Sequence, residues 1–395
     1  MLEIGQQLWV AAQLHAPAWV QDRLFPYVYQ ARDAWPLRPR LAVHRLYGQY
    51  QGEPLIVDYV GLEHQPTLAT ALFSAEPIVR EIDRVTPRQL ASWADAAEAD
   101  LAIVAGGQRL IRRLPRRNAL VLPFLVTMTL DVSGAWEVVK DRIHKSVRQH
   151  EFRLMRKYGY TFELSQRAED FELFYYAMYV PTVEMRKGSL AAPMSFREAY
   201  QYFRHGAQLH LIKQDGRRVA GGLAYLQGNQ VRFRLMGMLN ADEQLMHEGA
   251  LAACYYAVVR WANQHGYPAV VFGECVPRLG NGVFQYKRKW GGVVTCSGKA
   301  YKQIWIGLRR DTPAIQKFLE DNPLILSDEQ GQLQGLIVTS DPRPIAPETE
   351  AVWRKQYATP GLSGVLIRSL SDLFEENTRA GRAAPATSRL IQVTE

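Results

Sequence analysis

The stretch that decides the fold runs from Val270 to Gly292 and reads V-V-F-G-E-C-V-P-R-L-G-N-G-V-F-Q-Y-K-R-K-W-G-G. It begins within a short apolar strand, Ala269–Phe272, which stops at Gly273 and delivers Glu274 as its first polar side chain. A glycine-containing loop then leads into a compact aromatic and basic run from Phe284 to Trp290. Because rigid strand ends followed by such loops let the backbone approach a ligand closely, we expect the functional edge of the sheet here.

The residues around this stretch predict an α+β fold, in which a mixed sheet is flanked by helices. Three short strands separated by the turns Asp215-Gly216 and Gly228-Asn229 predict an antiparallel meander. A helix from His247 to His265 follows, with Gly266 as its stop. The last predicted strand of this region is Val293–Leu308. In order, the expected elements are meander, helix, strand, helix-like segment and strand.

A strand at Ala119–Val132, a loop or broken helix at Pro181–Gly188 and further helices are predicted upstream. Ser133 is expected to cap a long helix that continues to Tyr158, because apolar residues recur along it at helical spacing. Ser195 and Glu198 form a capping box for another helix to about His205. The polar face of the first helix is basic, and a second cluster of arginines lies at Arg109–Arg117. Each cluster fits either a track for phosphates or an ordinary solvated face.

The composition sets limits on the class of protein. With 395 residues the chain is expected to form two to three domains, and a formal charge of +8 suits an anionic ligand or simply a basic surface. The three cysteines form no C-x-x-C pair, which favours a reducing cytoplasm over a disulfide framework or zinc site. The histidines have no metal-ligand spacing, so a metal-free mechanism is expected. No secretory signal and no apolar run of 18 residues occurs in the sequence.

The run F-G-E-x7-G-V-F-Q-Y-K-R-K-W-G-G resembles the closing signature of the Fem-type acyltransferases of the GNAT superfamily. The likeness extends from about Ser146 to Gly292. It implies that residues 133–310 form the acyltransferase domain. The order of strands and helix in residues 1–132 faintly echoes that of this domain, so the N-terminal α/β unit is interpreted as a possible degenerate copy, which would make two GNAT-like units in tandem. Residues 311–395 are predicted to form a C-terminal extension that ends in a mobile tail.

The resemblance also implies a cofactor site at the start of the central helix. In such folds the pyrophosphate of acyl-CoA binds backbone N–H groups at that terminus, where the helix dipole attracts anions. The corresponding residues are Gln244, His247, Gly249 and Ala250, although His247 stands where the family has a glycine. Because of this departure, aminoacyl-tRNA stays an alternative donor. Fem-type relatives use that donor and need no pyrophosphate-binding loop at the helix start. An ordinary helix start is the other alternative.

Lys287 and Glu274 are the candidate catalytic residues. By resemblance, Lys287 lies near the reacting carbonyl or binds phosphate. Near the carbonyl, its cation would stabilise an oxyanion by about 3 to 4 kcal/mol. Glu274 would take the proton from the attacking amine. The alternatives are a surface lysine and a carboxylate paired with Arg278. Tyr286 is expected in the wall of the pocket, and Glu184 and Arg186 beside the acceptor.

The predicted function is therefore that of a cytoplasmic N-acyltransferase. It would transfer an acyl group from acyl-CoA to an amine of an amino acid, an amino sugar or a cell-envelope precursor. One alternative is a Fem-type peptidyltransferase that depends on aminoacyl-tRNA. The other is a non-catalytic GNAT-like module that binds nucleic acid or a protein partner through Arg109–Arg117. The sequence leaves the oligomeric state open.

Overall fold

The structure is a computed structural model. It describes residues 40–61, 72–188, 191–297, 302–328, 330–340, 346–375 and 389–391, which form both strands and helices. The residues before Arg40 lie outside the described part. So does the predicted mobile tail A-G-R-A-A-P-A-T-S-R, except for its last residue, Arg389.

The strands and helices have the following bounds. The strands are β1 Leu41–Tyr50, β2 Glu53–Gly61, β3 Ile78–Val85, β4 Leu101–Gly107, β5 Ala119–Pro123, β6 Val126–Asp131, β7 Thr161–Ser165, β8 Gln208–Gln214, β9 Arg217–Gln227, β10 Gln230–Met238, β11 Ala269–Cys275, β12 Val293–Cys296, β13 Lys302–Leu308, β14 Leu324–Ser327, β15 Leu333–Thr339, β16 Val365–Ser369 and β17 Arg389–Ile391. The helices are α1 Leu90–Ala96, α2 Gln108–Ile111, α3 Trp136–Arg142, α4 Lys145–Lys157, α5 Ala168–Leu173, α6 Val180–Lys187, α7 Phe196–Arg204, α8 Glu243–His247, α9 Ala250–Gln264, α10 Gly282–Lys289, α11 Pro313–Asp321, α12 Pro347–Tyr357 and α13 Leu370–Glu375.

The described strands form three sheets. A six-stranded sheet has the order β3-β1-β2-β4-β13-β5, a seven-stranded sheet the order β12-β6-β11-β10-β9-β8-β7, and a four-stranded sheet the order β14-β15-β16-β17. The first two sheets mix parallel and antiparallel pairs, since β2 runs parallel to β4 and β10 runs parallel to β11. The fold is therefore α+β with mixed sheets flanked by helices, as predicted.

Two compact units account for the described chain. The first comprises Met128–Gly273 and Tyr286–Val293, and the second comprises the described residues up to Thr127, Glu274–Gln285 and those from Val294 onward. This grouping differs from the predicted division at residues 132 and 310. Buried apolar residues of α11, β15 and α13 share one core with those of β2 and β4, so residues after 311 pack with the N-terminal strands of the second unit.

The predicted meander is confirmed as β8, β9 and β10. Its first turn places Asp215 and Gly216 at φ 48° and 76°, a left-handed pair that tolerates Asp and favours Gly. The capping box is confirmed as well, because the backbone N–H of Glu198 donates to the Ser195 hydroxyl at 3.2 Å and α7 begins at Phe196.

The predicted helix from Ser133 to Tyr158 is wrong, because the chain breaks into α3 and α4. Ser133 caps neither helix, since its hydroxyl donates to Asp131 at 2.6 Å. The break has a tertiary cause. The backbone N–H of His144 donates to the carbonyl oxygen of Lys289 at 2.9 Å, and the His144 ring nitrogen caps α4 by accepting from the N–H of Ser146.

Other predicted elements change in extent. The predicted strand Val293–Leu308 is two strands, β12 and β13, that join different sheets. The helix expected from His247 begins instead at Ala250, after α8 and a left-handed Gly249 at φ 88°. The segment after Tyr179, expected as a loop or broken helix, is the helix α6, and a π-helical turn, Phe174–Tyr179, joins it to α5. This wider turn precedes Pro181, which has no N–H for a helical hydrogen bond.

Candidate active site

The candidate site lies where β10 and β11 separate. The two strands pair in parallel only at Val231 with Val270 and Arg232 with Val271, although they are nine and seven residues long. The pairing of β10 with β9 also shifts by one residue between Phe233 and Leu235, which marks a bulge. Beyond the second pair the pairing stops, which leaves an opening between the two neighbouring strands.

Lys287 brings its ammonium group to this opening. A β-carbon built on Gly273 would lie 3.8 Å from the carbonyl oxygen of Phe233 and 3.9 Å from Nζ of Lys287. Gly273 itself has a φ of 79°, a left-handed conformation that favours glycine. Only 6% of Lys287 is exposed, so the alternative of a surface lysine is wrong. A buried cation at a strand opening can stabilise negative charge more strongly than a solvated one, because water screens it less.

The neighbouring basic residues of α10 differ from Lys287. Lys289 is exposed, and Arg288 is half-buried with its pKa lowered by that burial. The helix presents Lys287 inward because it also buries Phe284 and Trp290, three residues before and after it on the same face. The burial of Lys287 thus follows from the helical spacing of α10.

An aromatic cluster centred on Tyr255 of α9 supports the opening. The Tyr255 ring lies 5.1 Å from the rings of Phe233 and Phe272, which directly follow the last paired residues of β10 and β11. It also lies 5.3 Å from the rings of Tyr286 and Trp290. Trp290 is fully buried and Tyr286 half-buried, which fits their expected place in the wall or core. Burial and, to a lesser degree, the carboxylate of Glu151 raise the pKa of Tyr286 well above its ordinary value.

The start of α9 is covered by α4. A β-carbon built on Gly249 would lie 3.4 Å from side-chain atoms of Leu154 and 3.5 Å from Oε2 of Glu151. A second carboxylate, that of Glu248, accepts hydrogen bonds from Gln244 at 2.9 Å and from Gln214 at 3.4 Å. A helix N-terminus attracts anions, but here two carboxylates already lie beside it and would repel a pyrophosphate.

The four predicted cofactor residues therefore differ in accessibility. Gln244 and His247 are exposed on α8, whereas Gly249 and Ala250 are buried at the start of α9. The Asp242 carboxylate caps α8 by accepting from the N–H of Gln244 at 2.8 Å, so this segment is a helical turn and not an open loop. The roles of these residues in cofactor binding stay a prediction.

The helix α6 carries the predicted acceptor residues. The Thr182 hydroxyl accepts from the N–H of Met238 at 2.9 Å and donates to its carbonyl oxygen at 3.3 Å, which fixes α6 to the end of β10. Gly237 permits this close packing, because a β-carbon there would lie 2.2 Å from the carbonyl oxygen of Met178. Glu184 and Arg186 are exposed on the same helix, and their role as acceptor contacts stays a prediction.

Glu274 is the residue after Gly273 on β11 and is half-buried. Its place at a strand end is the one that the sequence predicts, and its role as a base stays a prediction. Among the described residues, no cluster of three or more His, Cys, Asp or Glu side chains could hold a metal ion. Within the same part of the chain, no helix combines the length and the apolar character that a bilayer span requires.

The two basic clusters are largely solvent-exposed. On α4, Lys145, Arg153, Arg156 and Lys157 are exposed, while Arg148 pairs with Asp141 at 2.7 Å. In the second unit, all five arginines of the Arg109–Arg117 cluster are exposed. This exposure agrees with a solvated face and leaves room for a polyanion.

Sequence reasoning missed three residues of the site. Tyr255 was expected only as one apolar position of a helix, and its contacts with both separating strands depend on the tertiary fold. Thr182 had no signal, because a hydroxyl that binds the backbone of a distant strand leaves no local pattern. Glu151 had a weak signal, since it is the only acidic residue of the otherwise basic α4.

Comparison with protein-family models finds no match, and neither does comparison with curated protein sequences. Among solved structures, the chain is similar to FemX at 14% identity and a TM-score of 0.39, over 78% of this chain and 96% of that one. It is similar to the C-terminal domain of a putative lysylphosphatidylglycerol synthetase from Agrobacterium fabrum at 12% identity and a TM-score of 0.35, over 77% and 92%. A GCN5-related N-acetyltransferase from Anabaena variabilis is similar at 9% identity and a TM-score of 0.26, over 82% and 74%. At these scores the fold assignment depends on the strand order and registers described above.

Proposed function

We propose that this protein is an N-acyltransferase whose reaction takes place at the opening between β10 and β11. The observation that carries the proposal is the buried ammonium group of Lys287 beside Gly273, at the point where the two strands part. A fixed cation at this position suits a carbonyl oxygen that gains negative charge during acyl transfer. No disulfide joins Cys254, Cys275 and Cys296, which fits a reducing compartment such as the cytoplasm.

The chemistry requires one new bond and the loss of another. The nitrogen of the acceptor amine attacks the carbonyl carbon of the donor, and Lys287 stabilises the oxyanion that forms. The carbonyl then reforms as the bond to the thiolate or alkoxide leaving group breaks. Glu274 is the proposed acceptor for the proton that the amine loses, directly or through water. Orientation of amine and carbonyl in the opening supplies much of the remaining rate.

Two donors are compatible with this chemistry. Acyl-CoA is the donor that the sequence predicts, but Glu151 and Glu248 lie beside the helix start where its pyrophosphate would bind. This observation favours the second candidate, an aminoacyl-tRNA, whose phosphates could instead contact the exposed basic residues of α4. The proposed acceptor is an amine of an amino acid, an amino sugar or a cell-envelope precursor.

A donor experiment tests the proposal. The protein is incubated with candidate amines and either acetyl-CoA or a pool of aminoacyl-tRNA, and mass spectrometry detects the acylated amine. We expect product with aminoacyl-tRNA and little thermal stabilisation of the protein by acetyl-CoA. A ligand that does bind would stabilise the folded protein by about 2.7 kcal/mol at 100 times its Kd, so its binding would be detected. In Glu151→Gln, acetyl-CoA should bind more tightly. Absence of product with either donor, while tRNA is retained in a salt-dependent way, would favour a non-catalytic module that binds nucleic acid.

A further inference from the structure

The strand β3 lies at one edge of the six-stranded sheet, and β1 is its only neighbour among the described strands. Its residues are exposed on both faces, and only Val85 at its end is buried. The exposed side chains include three apolar ones, since Ile78 is 63% exposed, Val79 44% and Ile82 41%. An edge strand with apolar side chains and unpaired backbone groups is a template for pairing with another strand.

The charges of β3 favour pairing with a strand of the same sequence. Natural edge strands are often protected by charged side chains, but β3 carries both signs in the nearly symmetrical order R-E-I-D-R from Arg80 to Arg84. Glu81 and Arg84 pair with each other at 2.6 Å. Arg80 lies over the Tyr47 ring at 5.8 Å, and the Asp83 carboxylate accepts from the backbone N–H of Arg84 at 2.6 Å. Within the described chain, neither Arg80 nor Asp83 forms an ion pair.

A bulge in β3 decides which of its residues can lie opposite each other in such a pair. The register with β1 shifts at Ile82, which has no partner on β1. Along an antiparallel ladder, the backbone groups of successive residues point alternately toward the neighbouring strand and away from it. Arg80 and Asp83 are three residues apart and would point in opposite directions in a regular strand. The bulge gives them the same direction, because their partners on β1, Arg45 and Val43, are two residues apart.

This orientation permits a register in which two copies of β3 pair antiparallel along their whole length. In this register Ile78 lies opposite Val85 of the second copy, and Arg80 lies opposite Asp83 of the second copy. Two-fold symmetry repeats the pair of Arg80 with Asp83, so the interface contains it twice. The remaining pairs each join a charged residue with an apolar one: Val79 with Arg84, and Ile82 with Glu81. Opposite charges across an antiparallel pair are stabilising, and no like charges meet here.

We propose that β3 pairs with β3 of a second copy of this chain and so joins two six-stranded sheets into one. The occupant is a second copy because the charge order of β3 is complementary to itself in the only register that pairs the full strand. The pairing also covers the exposed apolar side chains of β3. A single pair of strands is smaller than a typical stable interface, so the dimer is weak and depends on protein concentration. The proposal does not depend on acyl transfer at Lys287.

Sedimentation equilibrium of the full chain at several concentrations tests the proposal. We expect a wild-type mass that rises with concentration toward twice that of the chain. Arg80→Asp and Asp83→Arg each place like charges opposite each other twice, so each should weaken dimerisation at least about tenfold. Both residues are exposed, and urea denaturation should show that both variants are folded. The matched control is Arg113→Asp, which makes the same charge change at an exposed position outside β3 and should leave dimerisation unchanged.

Mixing the two variants separates the proposed register from other modes of association. Each variant repels its own copies, but in the mixture every residue at position 80 meets the opposite charge at position 83 of the other chain. We therefore expect mixed dimers in Arg80→Asp combined with Asp83→Arg, and dimers of the double variant alone. The proposal is overturned if the wild-type protein stays monomeric at every concentration, if the single variants dimerise as the wild type does, or if the mixture does not associate. Both single variants should retain acyl transfer, so failure here and failure of the proposed function are separable.

Discussion

The β2–β4 pair of the second unit and the β10–β11 pair of the first are both parallel, and they differ in how far the pairing extends. In the second unit, β2 and β4 pair over five consecutive positions, from Val57 with Leu101 to Gly61 with Ala105. In the first unit, β10 and β11 pair at only two positions and then separate. Both pairs belong to mixed sheets. The β2–β4 pair stays closed along its length, so of the two pairs only β10–β11 has the opening at which Lys287 lies.

The two strand pairs also differ in the groups that satisfy their backbone hydrogen bonds. Strand β4 is apolar and buried from Leu101 to Ala105, and its backbone groups are satisfied by β2 and β13 on either side. Strand β10 pairs with β11 only at its start, and near its end the Thr182 hydroxyl binds the backbone of Met238. Backbone groups without a strand partner require such substitutes, because an unsatisfied buried group is costly.

The largest expected effect is on the rate of acyl transfer when Lys287 is replaced. Lys287→Ala should lower kcat for acyl transfer about 10²- to 10³-fold, which is the usual cost of removing one oxyanion donor. The measurement is a steady-state rate with the donor that proves active. Lys289→Ala, on the same helix but exposed, is the matched control and should retain nearly the full rate. Equal rates in both variants would remove the distinction between the open and the closed pair.

The next effect concerns stability at Gly237. A methyl group there would meet the Met178 carbonyl at 2.2 Å, and backbone atoms cannot move aside cheaply. Gly237→Ala should therefore lower the free energy of unfolding by about 3 kcal/mol, measured by urea denaturation. Gly280→Ala is the control, because a β-carbon at Gly280 meets nothing within 4 Å. If Gly237→Ala is as stable as the control, the π-helical turn Phe174–Tyr179 does not pack against β10 as closely as described.

A third test uses pH and the buried His210 of β8. Burial lowers the pKa of His210 to about 3, and its Nε2 is buried without a hydrogen-bond partner beside Trp261. The folded state therefore keeps His210 neutral, while the unfolded chain binds a proton below about pH 6.5, so stability falls as the pH drops through this range. At pH 5 the loss should be about 2 kcal/mol relative to pH 7.5.

Urea denaturation at both pH values measures this effect. His210→Phe should remove most of the pH dependence, whereas His247→Gln, at an exposed position, should leave it intact. A wild-type protein equally stable at both pH values would show that His210 is solvated. The first unit would then be more open than its buried core indicates.

The smallest expected effect is at Thr182. Thr182→Val keeps the shape of the side chain but leaves the N–H of Met238 without its acceptor, at a cost of about 1 to 2 kcal/mol in unfolding free energy. Thr182→Ser keeps the hydroxyl and should lose less. Hydrogen exchange at Met238 sharpens the comparison, since its amide should exchange faster in the valine variant while those of β4 stay protected. Unchanged exchange at Met238 would mean that Thr182 does not replace a strand partner.

Local patterns predicted some parts of the fold and not others. The meander followed from alternation and turn residues, whereas Lys287 was singled out by the resemblance that the run around it carries. The two long strands predicted at Ala119–Val132 and Val293–Leu308 were wrong in one respect, since each divides between different sheets. Sheet membership is decided by distant partners, which apolar alternation does not reveal. The break at His144 has the same origin, because its N–H donates to Lys289, far along the chain.

The central position of β13 in the six-stranded sheet has a consequence for biosynthesis. In the six-stranded sheet, β13 lies between β4 and β5, although almost 200 residues separate it from them along the chain. While the ribosome is still making the first half, the edges of β4 and β5 that will face β13 have no strand between them. This sheet can be completed only after Leu308 has been synthesised, so the nascent N-terminal segment should need protection from aggregation until then.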